Sequence, residues 1–485
     1  MTLALLLTLV AFLDTNAPPR PLDTAGIDCT CAEVFESYAE QVEAAYLGYR
    51  FEVADRDTRF FTQRTVDYRR RAQRTPLRQC VHLIHEWLGL FGDPHIGALR
   101  SLSDSTRKAR GWPQSMGMQA PDQVRQRLTD RADQLDPVEG IWYAGNRVMA
   151  VVESDDLAGL FLAVVLEEDD VLGKAGAVIA RLERGIEQGQ YRVVGVGPLA
   201  GERRASVHAD RLLRIGQTRM GRRFPAPVHA PDPLDPFRPT IKQLEAGAVL
   251  VSVPSHRYGY KTVLDSLVHL HHEALRDAKD IVIDLRGNSG GSSIMTDALH
   301  PYLYSPDMEP SIWDGPSAIL TSEITRAYYK ARMQWGMPYA RAAVLLAKAE
   351  LGDIIRDPRT QFPERKPDTL YAGSRKVGVL TDWVNISAVD VFLLDIRRSS
   401  RVTLFGEATN SAVDHLSVTR HVLDIPTCPQ EGFVLYLPTS AAPWMPDGGL
   451  NATGIEPDVV LSMPQSEWID AALTELRSGG SQATE

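Results

Sequence analysis

The spacing of apolar residues divides the chain into three regions with different predicted structures. Over residues 31–91, apolar side chains such as Val34 and Tyr38 recur at steps of three and four, which predicts amphipathic helices. Over 138–226, short segments that alternate or run apolar are separated by turn residues, which predicts a small, mostly antiparallel β domain, either a barrel or a sandwich. From Ala248 onward, strand-like runs alternate with helical segments, which predicts parallel strands joined by right-handed crossovers.

A stretch rich in proline and aspartate, PVHAPDPLDPFRP, is the clearest predicted domain boundary. At 485 residues the chain is longer than one hydrophobic core usually organises, so several domains are expected. The predicted fold class is mixed α/β and multidomain, with N-terminal helices, a small antiparallel β domain and an α/β core that has a mixed sheet. The predicted divisions are a signal peptide at 1–17, an N-terminal helical region at 18–100, a β-rich domain at 138–226, a linker at 227–239, a core at 240–465 with a helical insert at 317–368, and a C-terminal helix and tail at 466–485.

The chain begins with the apolar run TLALLLTLVAFL at 2–13, which is too short to span a bilayer. Because polar, proline-containing sequence follows at once and Ala17 offers a small residue for cleavage, the run is typical of a secretory signal. A buried N-terminal helix is the alternative. The signal interpretation predicts a periplasmic or extracellular protein with no stable membrane span after the signal is removed. The net charge of −10 argues against nucleic acid as a partner.

Four cysteines are present, at Cys29, Cys31, Cys80 and Cys428. An even number in an exported chain permits disulfides, and pairing Cys29 or Cys31 with Cys80 would tie the N-terminal helices together. A metal site is the alternative for the closely spaced pair, but no second close pair accompanies it. The histidines at 269–272 also lack a further ligand, so neither a metal nor a cofactor is expected.

The stretch at 376–390 is typical of the way α/β enzymes present a nucleophilic hydroxyl. An apolar run over 377–380 predicts a short buried strand, and a turn that contains Ser387 separates it from helical spacing that starts at Val389. Such a turn exposes the serine oxygen, and the start of the helix supplies N–H groups that can stabilise an anion. The alternative is that Ser387 only caps the helix.

A glycine-rich turn upstream supports the first interpretation. The segment DLRGNSGG at 284–291 follows the apolar run Ile281 to Ile283, which predicts a buried parallel strand. Paired glycines permit positive φ and close approach of the backbone, so this turn can direct N–H groups at an anion. It lacks the Lys-Ser/Thr pair of a phosphate-binding P-loop and the spacing of a dinucleotide-binding motif.

Four segments in order, DLRGNSGG, VLTDWVNISAVD at 379–390, GEAT at 406–409 and GIEPDV at 454–459, resemble the motifs of the S41 serine peptidases. This family comprises the tail-specific or C-terminal processing proteases, together with a branch that contains the tricorn core and interphotoreceptor retinoid-binding protein. The resemblance covers roughly residues 240–465. It implies an α/β catalytic core that cleaves a protein or peptide substrate.

The resemblance implies roles for individual residues. Ser387 would be the nucleophile. The oxyanion hole would be formed by backbone N–H groups of Gly290 or Gly291 and of Ala388. His95, which lies in a Gly/Pro turn, matches the position at which the tricorn-like and retinoid-binding-protein-like branches supply a histidine, and imidazole is the usual base near neutral pH. The alternative is a turn histidine bonded to nearby carbonyl groups.

The processing proteases use a lysine as the base, and the matching position here is Ala412, so a Ser–Lys dyad is absent. The base is then His95 or, alternatively, His415, which lies on the loop that faces the nucleophile in the family. At the position where the tricorn branch has its acid, this chain has Asn451. A third group should orient the imidazole. The acidic residues that could do so are Glu407, Asp414 and Asp447.

These features predict an exported serine endopeptidase with a serine nucleophile, a histidine base and a backbone oxyanion hole. A catalytically inactive protein of the same fold that binds a hydrophobic ligand or peptide is the alternative, because fold does not determine function. Another acyl hydrolase, such as an esterase, is a third possibility. The β-rich domain has no PDZ-type carboxylate-binding loop, which argues against selection of substrates by their C-terminal tails. The insert at 317–368 is a candidate lid, and the oligomeric state is left open.

Overall fold

The structure is a computed structural model. It describes residues 29–55, 58–100, 115–144, 147–168, 172–185, 190–196, 199, 201–208, 212–215, 218–225, 235, 237–309, 311–313, 315–357, 369–371, 375–428 and 432–478. The predicted signal peptide and most of the predicted linker lie outside these residues. No helix among them is both long enough and apolar enough to cross a membrane.

The described residues form helices and strands in three groups. The helices are α1 Cys31–Ala45, α2 Leu47–Asp55, α3 Thr58–Ala72, α4 Cys80–Leu88, α5 Pro121–Asp130, α6 Lys261–Leu270, α7 His272–Asp277, α8 His300–Leu303, α9 Glu323–Arg332, α10 Met337–Lys348, α11 Ala388–Ile396 and α12 Trp468–Ser478. The strands are β1 Gly97–Arg100, β2 Gly140–Ala144, β3 Arg147–Glu153, β4 Leu160–Val165, β5 Val178–Arg184, β6 Gln190–Gly195, β7 Gly201–His208, β8 Leu212–Ile215, β9 Thr218–Phe224, β10 Thr240–Gln243, β11 Ala248–Ser252, β12 Asp280–Asp284, β13 Ser317–Leu320, β14 Ile354–Asp357, β15 Lys376–Thr381, β16 Val402–Gly406, β17 His415–Val422, β18 Phe433–Ala441 and β19 Val459–Val460.

The N-terminal helices pack around one apolar cluster. Helix α1 begins at a capping box, in which Thr30 accepts a hydrogen bond from the N–H of Glu33 and the Glu33 carboxylate accepts one from the N–H of Thr30. The buried face of α1 includes Phe35 and Tyr38, and the Phe35 ring packs edge-on against Trp87 of α4 with ring centroids 5.2 Å apart. Packing of this apolar face, more than intrinsic helix propensity, stabilises helices of this length.

Two disulfides fasten the helical region to itself and to the core. Cys31 on α1 is bonded to Cys80 on α4, and Cys29 is bonded to Cys428 in the connection between β17 and β18. The second disulfide joins positions 399 residues apart in the sequence. It therefore fastens the first described residues directly to the C-terminal part of the chain, a pairing that the sequence left open.

The strands from residue 140 to residue 224 close into a barrel. Strands β2 to β9 pair antiparallel with their neighbours in chain order, and β9 returns to pair with β2. Trp142, Phe161 and Leu213 are completely buried in its interior. A closed barrel has no exposed sheet edge. The structure thus confirms the predicted antiparallel β domain and selects the barrel over the sandwich.

The core contains a six-stranded sheet in the order β10-β11-β12-β15-β16-β19. Strand β10 is antiparallel to β11 and all other neighbours are parallel, which confirms the predicted mixed sheet. Side chains alternate between its two faces: Ile281 and Ile283 pack with α6 and α11, whereas Val282 packs with α12. The near-continuous apolar runs in the sequence reflect this burial on both faces.

A second, antiparallel sheet joins distant parts of the chain. Strand β18 pairs with β17 on one side and with β1 and β13 on the other, and β13 pairs with β14. Because β1 directly follows the turn that contains His95, its pairing with β18 attaches that turn to the core.

The insert predicted as helical at 317–368 departs from that prediction at its described ends. It contains α9 and α10, but it starts with β13 and continues into β14, which pair with each other. Each strand has only four residues, and apolar runs this short do not distinguish a strand from a helix. Residues 358–368 lie outside the described residues, and the role of the insert as a lid stays a prediction.

Replacing both Cys29 and Cys428 with serine should destabilise the protein, because the disulfide restricts the unfolded chain. We expect the free energy of unfolding to fall by about 2–4 kcal/mol. The measurement is guanidinium unfolding followed by tryptophan fluorescence. The matched control replaces Cys31 and Cys80, which close a shorter loop of 49 positions and should cost less. An unchanged midpoint for the Cys29/Cys428 variant would contradict this expectation.

Candidate active site

The two turns identified in the sequence follow adjacent parallel strands and therefore meet at one edge of the sheet. Strand β12 leads into the glycine-rich turn, and β15 leads into the turn that contains Ser387. The two strands pair in register, with Asp284 opposite Leu380. Because both strands run in the same direction, their carboxyl ends bring the two turns together.

Gly290 allows the glycine-rich turn to touch the turn at 382–387 that contains Ser387 (the serine turn). Its φ is 82°. A Cβ atom at this position would lie 2.6 Å from the carbonyl oxygen of Ile386 and 2.9 Å from the Cβ of Ser387. Both the positive φ and the close approach of the backbone require glycine here.

Two buried side chains of the serine turn hold the turns together. The amide of Asn385 donates to the carbonyl oxygens of Leu285 and Asn288, at 2.7 and 2.9 Å. The carboxylate of Asp382 accepts a hydrogen bond from the N–H of Gly287 at 2.9 Å. Both side chains are almost completely buried. These bonds therefore satisfy polar groups that water does not reach.

Ser387 has a backbone conformation that residues other than glycine rarely adopt. Its φ is 63° and its ψ is −117°. Such a conformation costs on the order of 1–3 kcal/mol and persists only where surrounding contacts enforce it. The Ser387 side chain makes no capping bond to α11, and the residue is partly exposed. The helix-cap alternative therefore does not describe this serine.

The predicted oxyanion donors differ in their availability. The N–H of Gly290 donates to Oδ1 of Asn288 at 3.0 Å, so it is not available to an oxyanion. The N–H groups of Gly291 and Ala388 form no hydrogen bond with the part of the chain that the structure describes. Ala388 is the first residue of α11, where the helix dipole also favours an anion.

The buried side chain of His256 is hydrogen-bonded to Asn288 of the glycine-rich turn. Asn288 donates through Nδ2 to the carbonyl oxygen of Val253 and to Nδ1 of His256, each at 2.7 Å. Burial lowers the pKa of His256 to about 4, although the bond from Asn288 acts in the opposite direction. His256 is therefore neutral at physiological pH and acts as a fixed hydrogen-bond partner.

His95 is oriented by a backbone carbonyl group. Its Nδ1 lies 2.6 Å from the carbonyl oxygen of His415. With Nδ1–H donating there, Nε2 carries the lone pair that a general base needs. Burial lowers the pKa of His95, and the charge of Asp93 and the bond to His415 partly offset this effect.

The loop before His415 links the residue that orients His95 to helix α11. Asp390, in the first turn of α11, accepts hydrogen bonds from the hydroxyl of Thr409 at 2.8 Å and from the N–H of Ala412 at 3.1 Å. Burial raises the pKa of Asp390 to about 7 against the effect of these bonds. No hydrogen bond joins Ser387 Oγ to His95 among the described residues.

The imidazole of His415, the alternative base, is almost completely buried, and neither of its nitrogens makes a hydrogen bond to a described group. Its Nδ1 lies 3.4 Å from Oδ2 of Asp93. Oδ2 of Asp93 also accepts a hydrogen bond from the phenol of Tyr46 at 2.8 Å, and Oδ1 accepts one from the N–H of His95 at 2.8 Å. Asp93, His415 and Tyr46 therefore form a compact buried cluster beside His95.

Among the described residues, the three acids proposed from the sequence form no ion pair or hydrogen bond with either histidine ring. Asp414 accepts hydrogen bonds from Trp444 and from the N–H groups at 450 and 451, all at 2.8 Å. Glu407 has one buried carboxylate oxygen without a partner among the described residues, and Asp447 is exposed. The orienting group that the structure shows is instead the carbonyl of His415. Asn451 accepts hydrogen bonds from the N–H groups of the loop at 413–414.

Sequence reasoning missed the polar residues that position the site. The buried roles of Asn385, Asn288 and Asp382 depend on contacts between segments that are distant in the chain. Asp93 had a local signal, because an acid two residues before a turn histidine can accept that histidine's N–H. The described residues contain no group of three or more His, Cys, Asp or Glu side chains arranged to hold a metal ion.

The fold and the strained serine at a strand-to-helix turn define an α/β protein with a candidate serine-hydrolase site. The model of peptidase family S41 matches residues 250–461, so this part of the chain is similar to that family. No curated protein matches the chain in sequence.

Several solved structures are similar to this chain over almost its whole length. A peptidase structure from Parabacteroides merdae ATCC 43184 is 13% identical, with coverage of 94% of this chain and 100% of that one and a TM-score of 0.42. Mature CPAF is 12% identical, with coverage of 94% and 99% and a TM-score of 0.45. The photosystem II D1 C-terminal processing protease is 15% identical, with coverage of 93% and 99% and a TM-score of 0.37.

Replacing Asn385 with alanine should destabilise the site, because it leaves the carbonyl groups of Leu285 and Asn288 and the N–H of Asp382 without their partner. We expect a loss of roughly 2–4 kcal/mol in unfolding free energy, measured by guanidinium unfolding. Asn410→Ala is the matched control, since Asn410 is exposed and its backbone contact with Asn385 survives the change. Equal losses in the two variants would contradict the role given to the Asn385 amide.

Asp390 should make stability depend on pH. Its folded pKa of about 7 lies above the unfolded value of 3.8, so the folded state binds the proton more tightly. The contribution of protonated Asp390 to the free energy of unfolding is therefore fully present below about pH 4 and is lost as the pH rises through 7. Relative to Asp390→Asn, the wild type should lose up to about 4 kcal/mol across that range, measured by unfolding at several pH values. A difference that does not change with pH would contradict the raised pKa.

Proposed function

We propose that the protein is an exported serine endopeptidase in which Ser387 is the nucleophile and His95 is the general base. The observation that carries the proposal is the strained Ser387 turn, which is held against the glycine-rich turn beside two N–H groups that have no described acceptor. A strained backbone conformation at a partly exposed serine is typical of functional sites. The match of residues 250–461 to a peptidase family supports peptide bonds as the target.

In the proposed reaction, Nε2 of His95 takes the proton of the Ser387 hydroxyl as the oxygen attacks the carbonyl carbon of the substrate. The N–H groups of Gly291 and Ala388 stabilise the oxyanion, and each such donor typically contributes about 3–4 kcal/mol. The imidazolium then gives its proton to the leaving amine, and an acyl-enzyme forms. Water hydrolyses that intermediate with His95 again as the base. The Ser387–His95 hydrogen bond forms on substrate binding, since catalytic bonds are often long in free enzymes.

Two disulfides support the proposal that the protein is exported. They involve all four cysteines of the chain, and disulfides persist in oxidising compartments. With the apolar segment at 2–13, they favour a periplasmic or extracellular protein that acts on protein or peptide substrates and has no nucleic-acid partner.

A second candidate is a catalytically inactive protein that binds a hydrophobic ligand or peptide. One observation favours it: Ser387 Oγ makes no hydrogen bond to His95, and no carboxylate bonds to the His95 ring among the described residues. The family fold would then serve as a binding scaffold.

Digestion of a diverse peptide library, read by mass spectrometry, tests the two candidates. We expect the mature protein to cleave peptides, and we expect Ser387→Ala and His95→Gln to reduce the rate by at least about a thousandfold, because nucleophile and base act as one unit. The matched controls are Ser400→Ala and His269→Gln, which change exposed residues of the same types outside the site.

Each outcome separates the candidates. Loss of cleavage in Ser387→Ala but not in His95→Gln would assign the role of general base to His415 instead of His95. Hydrolysis of activated esters without peptide cleavage would favour an esterase. No turnover by any form, together with no labelling of Ser387 by a fluorophosphonate, would favour the binding protein.

A further inference from the structure

The proposed mechanism leaves one charge without a described partner. When His95 takes the serine proton, its ring becomes positive, but Nδ1–H donates to the neutral carbonyl group of His415. A carbonyl orients the ring and supplies only a partial negative charge. A buried cation without a negative partner is costly, so a stabilising carboxylate is expected nearby.

Asp93 lies in the same turn as His95 and is buried. Its Oδ1 accepts the backbone N–H of His95 at 2.8 Å, which fixes the carboxylate relative to the ring. The phenol of Tyr46 donates to Oδ2 at 2.8 Å and holds the other oxygen. Neither contact neutralises the charge of Asp93, so this charge remains available to a cation in the cluster.

We propose that Asp93 is the positioning residue that stabilises the protonated form of His95, acting across the turn rather than through a bond to the ring. The proposal rests on the proposed function, in which His95 is the base. It assigns to Asp93 the part that Glu407, Asp414 and Asp447 were expected to play.

His415 is the second imidazole that faces Asp93. Its Nδ1 lies 3.4 Å from Oδ2, and its ring packs against Tyr46 with centroids 5.3 Å apart. The backbone carbonyl group of His415 orients the His95 ring. The imidazole of His415 competes with that ring for the carboxylate of Asp93. Consistent with this arrangement, burial lowers the pKa of His95, the charge of Asp93 raises it, and the imidazole of His415 lowers it.

The test measures the pKa of His95 directly, by NMR of protein labelled with ¹³C at Cε1 of histidine. The chain has 12 histidines, and His95→Gln and His415→Gln assign the two signals of interest. In Asp93→Asn, which keeps the shape of the side chain, we expect the pKa of His95 to fall by about one unit or more. The acidic limb of the pH profile for peptide cleavage should shift down equally, and the maximal rate should fall about tenfold or more.

Asp414→Asn is the matched control. Asp414 is also a buried carboxylate next to His415 in the chain, but its described bonds are to Trp444 and to backbone N–H groups. The pKa of His95 should therefore change much less than in Asp93→Asn. Equal shifts in the two variants would overturn the specific role of Asp93.

An unchanged pKa of His95 in folded Asp93→Asn would also overturn the proposal. If Asp93→Asn does not fold, His415→Gln decides: the pKa of His95 should rise when the competing imidazole is removed, and no rise counts against the shared carboxylate. A lowered pKa in Asp93→Asn without peptide cleavage by the wild type would support the charge coupling while rejecting the peptidase function.

Discussion

The hydrogen bonds of two buried amide side chains are the constraint on which the site depends. Asn385 bonds two carbonyl groups of the glycine-rich turn, and Asn288 bonds the N–H of Gly290, the carbonyl of Val253 and the ring of His256. Without these bonds, the backbone groups beyond two parallel strands would be buried and unpaired. With them, Ser387 is held in a conformation that it would not adopt alone. The strained backbone conformation of Ser387 is therefore maintained by the same hydrogen bonds that pair the buried amides of Asn385 and Asn288.

The proposed base, His95, comes from the N-terminal part of the chain and bonds to the backbone carbonyl group of His415. The turn that contains His95 leads into β1, which pairs with β18, and the Cys29–Cys428 disulfide fastens the preceding helices to the same sheet. Assembly of the proposed site therefore requires both the N-terminal helices and the region at 250–461 that matches the S41 family model. Neither part contains both the proposed nucleophile and the proposed base, and the bond that orients His95 forms only when the two parts pack together.

The sequence predicted the large features because they have local physical causes. Periodic apolar residues predicted the N-terminal helices, alternating residues predicted the β domain, and buried runs followed by turns predicted the parallel strands of the core. The short strands β13 and β14 were missed, since four residues carry no distinctive period. The sequence did not predict which N–H groups are available. The N–H of Gly290 donates to the side chain of Asn288, two residues away, whereas the N–H groups of Gly291 and Ala388 have no acceptor among the described residues.

The sequence by itself determined the mixed fold class, the candidate nucleophile and the glycine-rich turn, because each depends on residues that are adjacent in the chain. Only the tertiary structure decided which cysteines pair, that the β domain closes into a barrel, and that Asp93 rather than Glu407, Asp414 or Asp447 lies in the histidine cluster. The physical reason is distance along the chain: Tyr46, Asp93 and His415 meet through the packing of separate elements. The interaction of a carboxylate with an imidazole depends on that packing, and no spacing in the sequence encodes it.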